Sequence, residues 1–282
     1  MGLMMKNVKT LTLIAAAVAA MTTGTVQAEQ YYGFANVSVN YLDWSGGTVD
    51  RSTAEGGQKA DFVYLEVEGG AGYDWGDVYG FIDFENPTKG DWGYDAGEDA
   101  AEAFRIAAKG SVAVNIGETN WNYYGHLYSI SDSSGFYEQN IVLGVSYDIN
   151  TDFGLWVKPF LGAHYVHNNF IGAGFNGGMA GWVLGYNFKL GGQDFMITNW
   201  NEIEFARADE YRGFCTADTC AGPGDAGWVE TNGDSTGLNG AVALWWNATS
   251  KFTLGLQYRY ADNKLGTPAY QNAAIFSAKY NF

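Results

Sequence analysis

From residue 31 onward, apolar and polar side chains alternate with a period of two. Ala35, Val37, Val39 and Tyr41 alternate with Asn36, Ser38 and Asn40. Val63, Leu65 and Val67 alternate with Tyr64, Glu66 and Glu68. The same pattern recurs at Phe104, Ile106 and Ala108 against Arg105, Ala107 and Lys109, and at Phe252, Leu254, Leu256 and Tyr258 against Thr253, Gly255, Gln257 and Arg259. Alternation at 180° per residue is the signature of a strand with two unlike faces. It predicts about twelve strands, at 31–43, 61–70, 76–85, 102–114, 119–130, 136–149, 154–166, 178–190, 193–207, 237–247, 250–260 and 271–282.

The connections alternate as well. Longer, acidic and Gly-rich stretches (44–60, 86–101, 131–135, 167–177, 208–236, 261–270) take turns with shorter ones (71–75, 115–118, 150–153, 191–192, 248–249). A soluble β-sandwich has no reason to keep its long loops at one end, whereas an outer-membrane barrel has short periplasmic turns and long outer loops. An even strand number puts both termini on the periplasmic side. Nearly all strand charges fall in one phase of the alternation, as a polar lumen and an apolar lipid face require. Aromatics near strand ends (Trp245, Trp246, Tyr258, Tyr260, Tyr280, Phe282) suit interfacial girdles. The predicted fold is therefore all-β, a closed transmembrane antiparallel barrel of about twelve strands spanning residues 29–282.

Ahead of it, residues 1–28 read as a signal peptide. Lys6 and Lys9 precede the apolar run Leu11 to Ala20, and Val26-Gln27-Ala28 gives a small-x-small cleavage site. The apolar run is too short for a membrane helix. Export implies the outer membrane of a Gram-negative bacterium, with membrane lipid as a partner. The formal charge of -16 becomes -18 in the mature chain once the two lysines are lost. That balance excludes nucleic acid, whose phosphates need a basic surface.

Chemistry-bearing residues are few. Cys215 and Cys220 lie in the longest loop, and in an exported chain they predict a disulfide. Gly172, Gly174 and Gly177 match G-x-G-x-x-G, but no helix pattern follows, so a flexible loop is expected rather than a dinucleotide site. The acidic stretch from Asp91 to Glu102 invites loose calcium binding by outer loops, yet lacks EF-hand spacing. His126, His164 and His167 have no nucleophile and orienting acid in a recognisable arrangement, so no catalytic residue, metal ligand or cofactor is assigned. His164 is expected in the lumen and His167 in an outer loop.

Tyr64-Leu65-Glu66-Val67-Glu68, followed by Asp74-Trp75-Gly76-Asp77-Val78-Tyr79-Gly80-Phe81-Ile82-Asp83, resembles the Tsx/OmpK family. Its members carry a YLE-x-E strand, a short turn with D-W, and then D-x-YG-[YF]-x-D. The resemblance implies a twelve-stranded, nucleoside-specific channel whose outer loops are exploited by phage in some members. Tyr64, Glu66, Glu68, Tyr79, Phe81 and Asp83 carry over residue by residue. Strand parity independently turns these six side chains inward, together with Arg105, Lys109, Lys158, Glu202, Glu204 and Arg259. Mutual pairing of these charges is one reading. Ligand contact is the other, with the aromatic rings stacking on a base and the carboxylates accepting from ribose hydroxyls. Three functions remain open at this point: a nucleoside-selective channel, a general or structural porin, and a surface-loop receptor.

Overall fold

A computed structural model describes residues 28–55, 59–88, 103–133, 135–216, 219–220 and 222–282. The expected signal peptide, apart from its last residue, and the acidic stretch considered for calcium lie outside the described residues. Twelve strands make the wall: β1 Gln30–Trp44, β2 Phe62–Tyr73, β3 Gly76–Glu85, β4 Arg105–Asn115, β5 Trp121–Asp132, β6 Tyr137–Tyr147, β7 Leu155–Asn168, β8 Gly172–Leu190, β9 Gln193–Phe205, β10 Gly237–Asn247, β11 Phe252–Asp262 and β12 Gln271–Asn281. Each strand pairs antiparallel with the next. β1 pairs with β12 from Asn36↔Asn281 to Trp44↔Ala273 and closes the ring. Closure leaves no edge, which is what a sheet surrounded by hydrocarbon must achieve.

Burial is reversed relative to a water-soluble protein. Asn36, Ser38, Asn40, Asn122, Ser146 and His164 are buried, whereas Val39, Leu65, Leu143, Leu161, Leu244, Leu256 and Phe276 are exposed. A soluble sandwich would hide the second set and wet the first. Here the period-two pattern does the opposite job, aiming apolar side chains at lipid and polar ones at the lumen. Turn chemistry sets the register. Gly191 and Gly192 take φ of 58° and 79°, so the two-residue turn between β8 and β9 is of the primed kind that matches strand twist.

Four expectations are corrected. Residues 172–178 are not a loop, because β8 begins at Gly172 and pairs with β7 through a register shift near Ala163/Tyr165. Gly177 (φ 73°) absorbs the irregularity, and an added Cβ there would sit 2.2 Å from the Ala206 carbonyl oxygen. His167 belongs to β7 rather than to a loop. Trp245 is not a girdle residue. It points inward, 9% exposed, beneath the Lys279 ammonium at 4.2 Å. Finally, residues 44–60 hold a helix, α1, Gly46–Ala54. No apolar period announces it; it is fixed by its ends. Ser45 caps it by accepting from the Thr48 amide at 3.2 Å, and Thr48 Oγ1 donates to the Asn272 carbonyl at 3.1 Å, docking the helix on β12.

The lipid face is also less uniformly apolar than alternation suggests. Asn199 and Asn201 share the outward phase of β9, opposite Val242 and Gly240. Asn201 Oδ1 accepts from the Tyr260 hydroxyl at 2.6 Å, and Asn199 Oδ1 accepts from Trp182 Nε1 at 2.8 Å and from Asn201 Nδ2 at 2.9 Å. Asn199 Nδ2 donates to the Ala241 carbonyl at 2.8 Å. The dent above Gly240 holds this network, and aromatic rings shield it, so the amides reach hydrocarbon already hydrogen-bonded.

Candidate functional site

The strand ladder assembles the predicted site from neighbouring positions. Glu66 lies directly opposite Asp83, Glu68 opposite Phe81, Phe81 opposite Lys109, and Lys109 opposite Tyr128. All are inward, so two adjacent rows of the lumen wall carry the aromatic–acidic cluster. Within it the two sequence readings divide residue by residue. Glu68 is fully engaged. It accepts from the Tyr79 hydroxyl at 2.8 Å, from Asn36 Nδ2 at 3.0 Å and from Lys279 Nζ at 2.9 Å. Glu66 is held more loosely, 3.8 Å from Lys279 Nζ and 3.3 Å from Ser38 Oγ. Asp83 Oδ1 is buried without a hydrogen-bond donor. The Asp83 carboxyl also hydrogen-bonds the Glu66 carboxyl across the ladder, so its spare acceptor position at Oδ1 lies just beneath the lumen surface.

Tyr64 is buried at the outer end, packed with Leu42, Phe62, Ala273 and Ile275 under Trp44. Its ring face is therefore used by the wall. Arg105 pairs with Glu85 and lies 4.9 Å over the Phe62 ring. The seven predicted residues thus separate into Tyr64, Glu68, Tyr79 and Arg105, tied mainly to wall partners, and Glu66, Phe81 and Asp83, half-buried on the lumen wall, with Asp83 Oδ1 shielded and lacking a donor.

Three inward groups escaped sequence reasoning as site members. Lys279 compensates both glutamates and stacks on Trp245. Its phase, opposite to Phe276, Ala278 and Tyr280, was the available signal. Arg259 lies 4.8 Å over Trp200. Lys59, from the outer connection between β1 and β2, donates to the Leu265 carbonyl at 2.8 Å and lies 5.1 Å over the Trp44 ring. Burial, together with the nearby Arg105 and Arg259 charges, pulls its amine down to about 8.

Charge pairs also cross the lumen. Lys109 on β4 pairs with Glu202 on β9, and Lys158 on β7 pairs with Asp77 on β3 while also reaching Asp148 at 3.1 Å. Strands β4 and β9 are five apart around a ring of twelve. A circular ring of twelve strands spaced about 4.8 Å and tilted about 40° would be about 24 Å across. A lysine and a glutamate in contact span no more than about 14 Å between their Cα atoms. The barrel is therefore flattened, and its lumen is a slot rather than a round pore.

Among the described residues, no three His, Cys, Asp or Glu side chains converge to hold a metal ion. Cys215 and Cys220 form the expected disulfide, on a small outer hairpin in which Gly213–Cys215 pairs with Trp228–Glu230.

The family of nucleoside-specific channel-forming proteins, Tsx, has a sequence model that matches residues 39–282, nearly the whole barrel. The chain belongs to this family. It is an outer-membrane channel of the Gram-negative type, and its family is the nucleoside-specific one. Among solved structures it is similar to a NanC porin at 10% identity and TM-score 0.49, covering 87% of this chain and 100% of that one. An outer-membrane channel from Pseudomonas putida F1 matches at 12% identity and TM-score 0.44, covering 92% and 100%. The motif residues that suggested the family all lie on β2, β3 and the turn between them, and the family match extends over the remaining strands as well.

Proposed function

We propose that nucleosides pass through the slot along the wall formed by β1–β3 and β10–β12, held briefly by Phe81, Asp83 and Glu66. Family membership supplies the solute class. The observation that carries the assignment of residues is the unpaired, buried Asp83 Oδ1 beside the Phe81 ring, in a lumen flattened to accept a planar solute. A base stacking on Phe81 is worth roughly 1–3 kcal/mol, and the carboxylates accept from ribose hydroxyls. A channel must also release its solute, so the sum stays small. Millimolar affinity needs only about -4 kcal/mol. The acidic outer loops disfavour phosphorylated nucleotides, an effect that salt screens. Use of the outer loops by phage remains a family-based proposal.

The experiment is solute block of ion current through Phe81→Ala, Asp83→Asn and wild-type channels. Phe81→Ala is expected to weaken nucleoside block at least five-fold while open-channel current changes little, since 1 kcal/mol is about a factor of five. Equal loss of current and block would point to a collapsed lumen instead.

A further inference from the structure

The cross-lumen pair Lys109–Glu202 does more than flatten the barrel. It divides the ring into two unequal arcs. On the arc of β5–β8 the interior is filled at the level of Val142, Phe160 and Met179, while Val183, in the same inward phase as Lys158, stays exposed. Val142, Phe160 and Met179 form a buried cluster with Tyr124 against it. The Tyr124 and Phe160 rings lie 5.0 Å apart, and the Tyr124 hydroxyl meets His126 Nδ1 at 3.1 Å. His164 and Val142 are both 0% exposed. The other arc, β1–β3 with β10–β12, carries Phe81, Asp83, Glu66, Lys279 and Arg259.

We propose that the Lys109–Glu202 ion pair is the partition between a partly filled lobe and the solute-conducting lobe, and that it sets the width of the path and thereby its preference for planar solutes. This rests on the lumen being the path proposed above. Both side chains are largely shielded, at 17% and 13% exposure, so the pair is held in place rather than waving in water. It is also anchored from the outer side. Lys264, on the connection between β11 and β12, reaches into the barrel to pair with Glu204, which in turn holds Arg207 Nε at 2.6 Å. Glu204 shares the inward phase of β9 with Glu202, two residues along the strand, so the Lys264–Glu204–Arg207 charges stand directly on the outer side of the partition. Lys109 adjoins Phe81 in the ladder. A solute stacked on Phe81 would therefore have the Lys109 stem at its edge. Solutes thicker than a single ring would have to break the ion pair to pass.

The test is a double-mutant cycle on Lys109→Ala, Glu202→Ala and the double variant, each refolded and checked for the wild-type heat-modifiable gel shift. Removing either partner should widen the slot and raise open-channel conductance about two-fold, with a matching loss of discrimination between nucleosides and bulkier sugars. If the two residues act as one partition, the double variant should conduct like either single variant, because the second removal finds the bridge already gone. Additive increases would show two independent wall residues and overturn the proposal. So would unchanged conductance in folded single variants. Conductance reads the partition even where wild type shows no nucleoside preference, so failure of the solute assignment and failure of the partition are told apart.

Discussion

Replacing Lys279 with methionine should be the most damaging single change to the predicted ligand wall. The ammonium contacts Glu68 Oε2 at 2.9 Å, stands 3.8 Å from Glu66 Oε1 and lies 4.2 Å over Trp245. At 2.9 Å the Coulomb attraction to Glu68 is about 6 kcal/mol at an effective dielectric near 20 and about 1.4 kcal/mol in water. Exposures of 13% and 16% place the pair between these limits, and desolvation of the ammonium offsets much of the gain. What decides the outcome is the state left behind. Methionine keeps the stem over Trp245 but leaves Glu68 shielded with only Tyr79 and Asn36 as donors, next to Glu66 and Asp83. Breaking a pair in that way costs about 3 kcal/mol. Equilibrium denaturant unfolding of the barrel in detergent or lipid should show this loss. In a Glu68→Gln background the same substitution should cost about 1 kcal/mol, because the stranded charge is gone. A loss below 1 kcal/mol in the wild-type background, or equal losses in both, would refute the reasoning.

Other consequences follow from particular contacts. On β6 and β7, Gly144 faces Gly162, and a Cβ on Gly144 would meet the Leu161 carbonyl oxygen at 2.0 Å; Gly144→Ala should therefore cost about 2 kcal/mol and slow closure of that seam, read from refolding kinetics by gel shift. Asn201→Leu should leave the Tyr260 hydroxyl proton without its acceptor, although Asn199 Nδ2 still donates to that oxygen at 3.2 Å, and cost about 1–3 kcal/mol in unfolding measurements, despite making the lipid face more apolar. Lys59, with its amine pulled down to about 8 from an ordinary 10.5, gives a pH dependence of definite sign. Below about 8 both folded and unfolded chains hold the proton and the burial penalty is full; between about 8 and 10.5 only the unfolded chain holds it, so stability rises with pH across that window. The difference in unfolding free energy between wild type and Lys59→Met should show that rise. Reduction of the Cys215–Cys220 bridge should speed proteolysis within its own hairpin while leaving the barrel's unfolding midpoint unchanged, because the bridge joins two residues only five apart in one outer loop.

The fold was legible because a barrel in lipid writes its architecture as a period of two, and the inward placement of Glu66, Phe81 and Asp83 needs only parity. What parity cannot say is which inward charge meets which. Lys109 and Glu202 are 93 residues apart, and their meeting depends on the cross-section of the ring, a property of all twelve strands together. Helix α1 was missed for a related reason, since its stability comes from Ser45 and from docking on Asn272 rather than from any apolar stripe. The strand at Gly172 to Gly178 was mistaken for a loop because glycine reads as a turn signal, whereas here it relieves close approach to the Phe205 and Ala206 backbone. Asn199 and Asn201 are tolerated on the lipid face because their partners, Trp182 and Tyr260, come from two other strands, a pairing that alternation along one strand does not show.

This barrel is expected to conduct nucleosides by binding them weakly in a flattened lumen. That expectation is tested most directly by single-channel current through the wild-type protein in a planar bilayer, with nucleosides and then sugars of similar size added in turn. Nucleosides should block reversibly in the millimolar range, ribose or glucose should block more weakly, and Phe81→Ala should lose nucleoside block at unchanged open current. Equal block by nucleosides and sugars, or none by either through an open pore, would contradict that expectation.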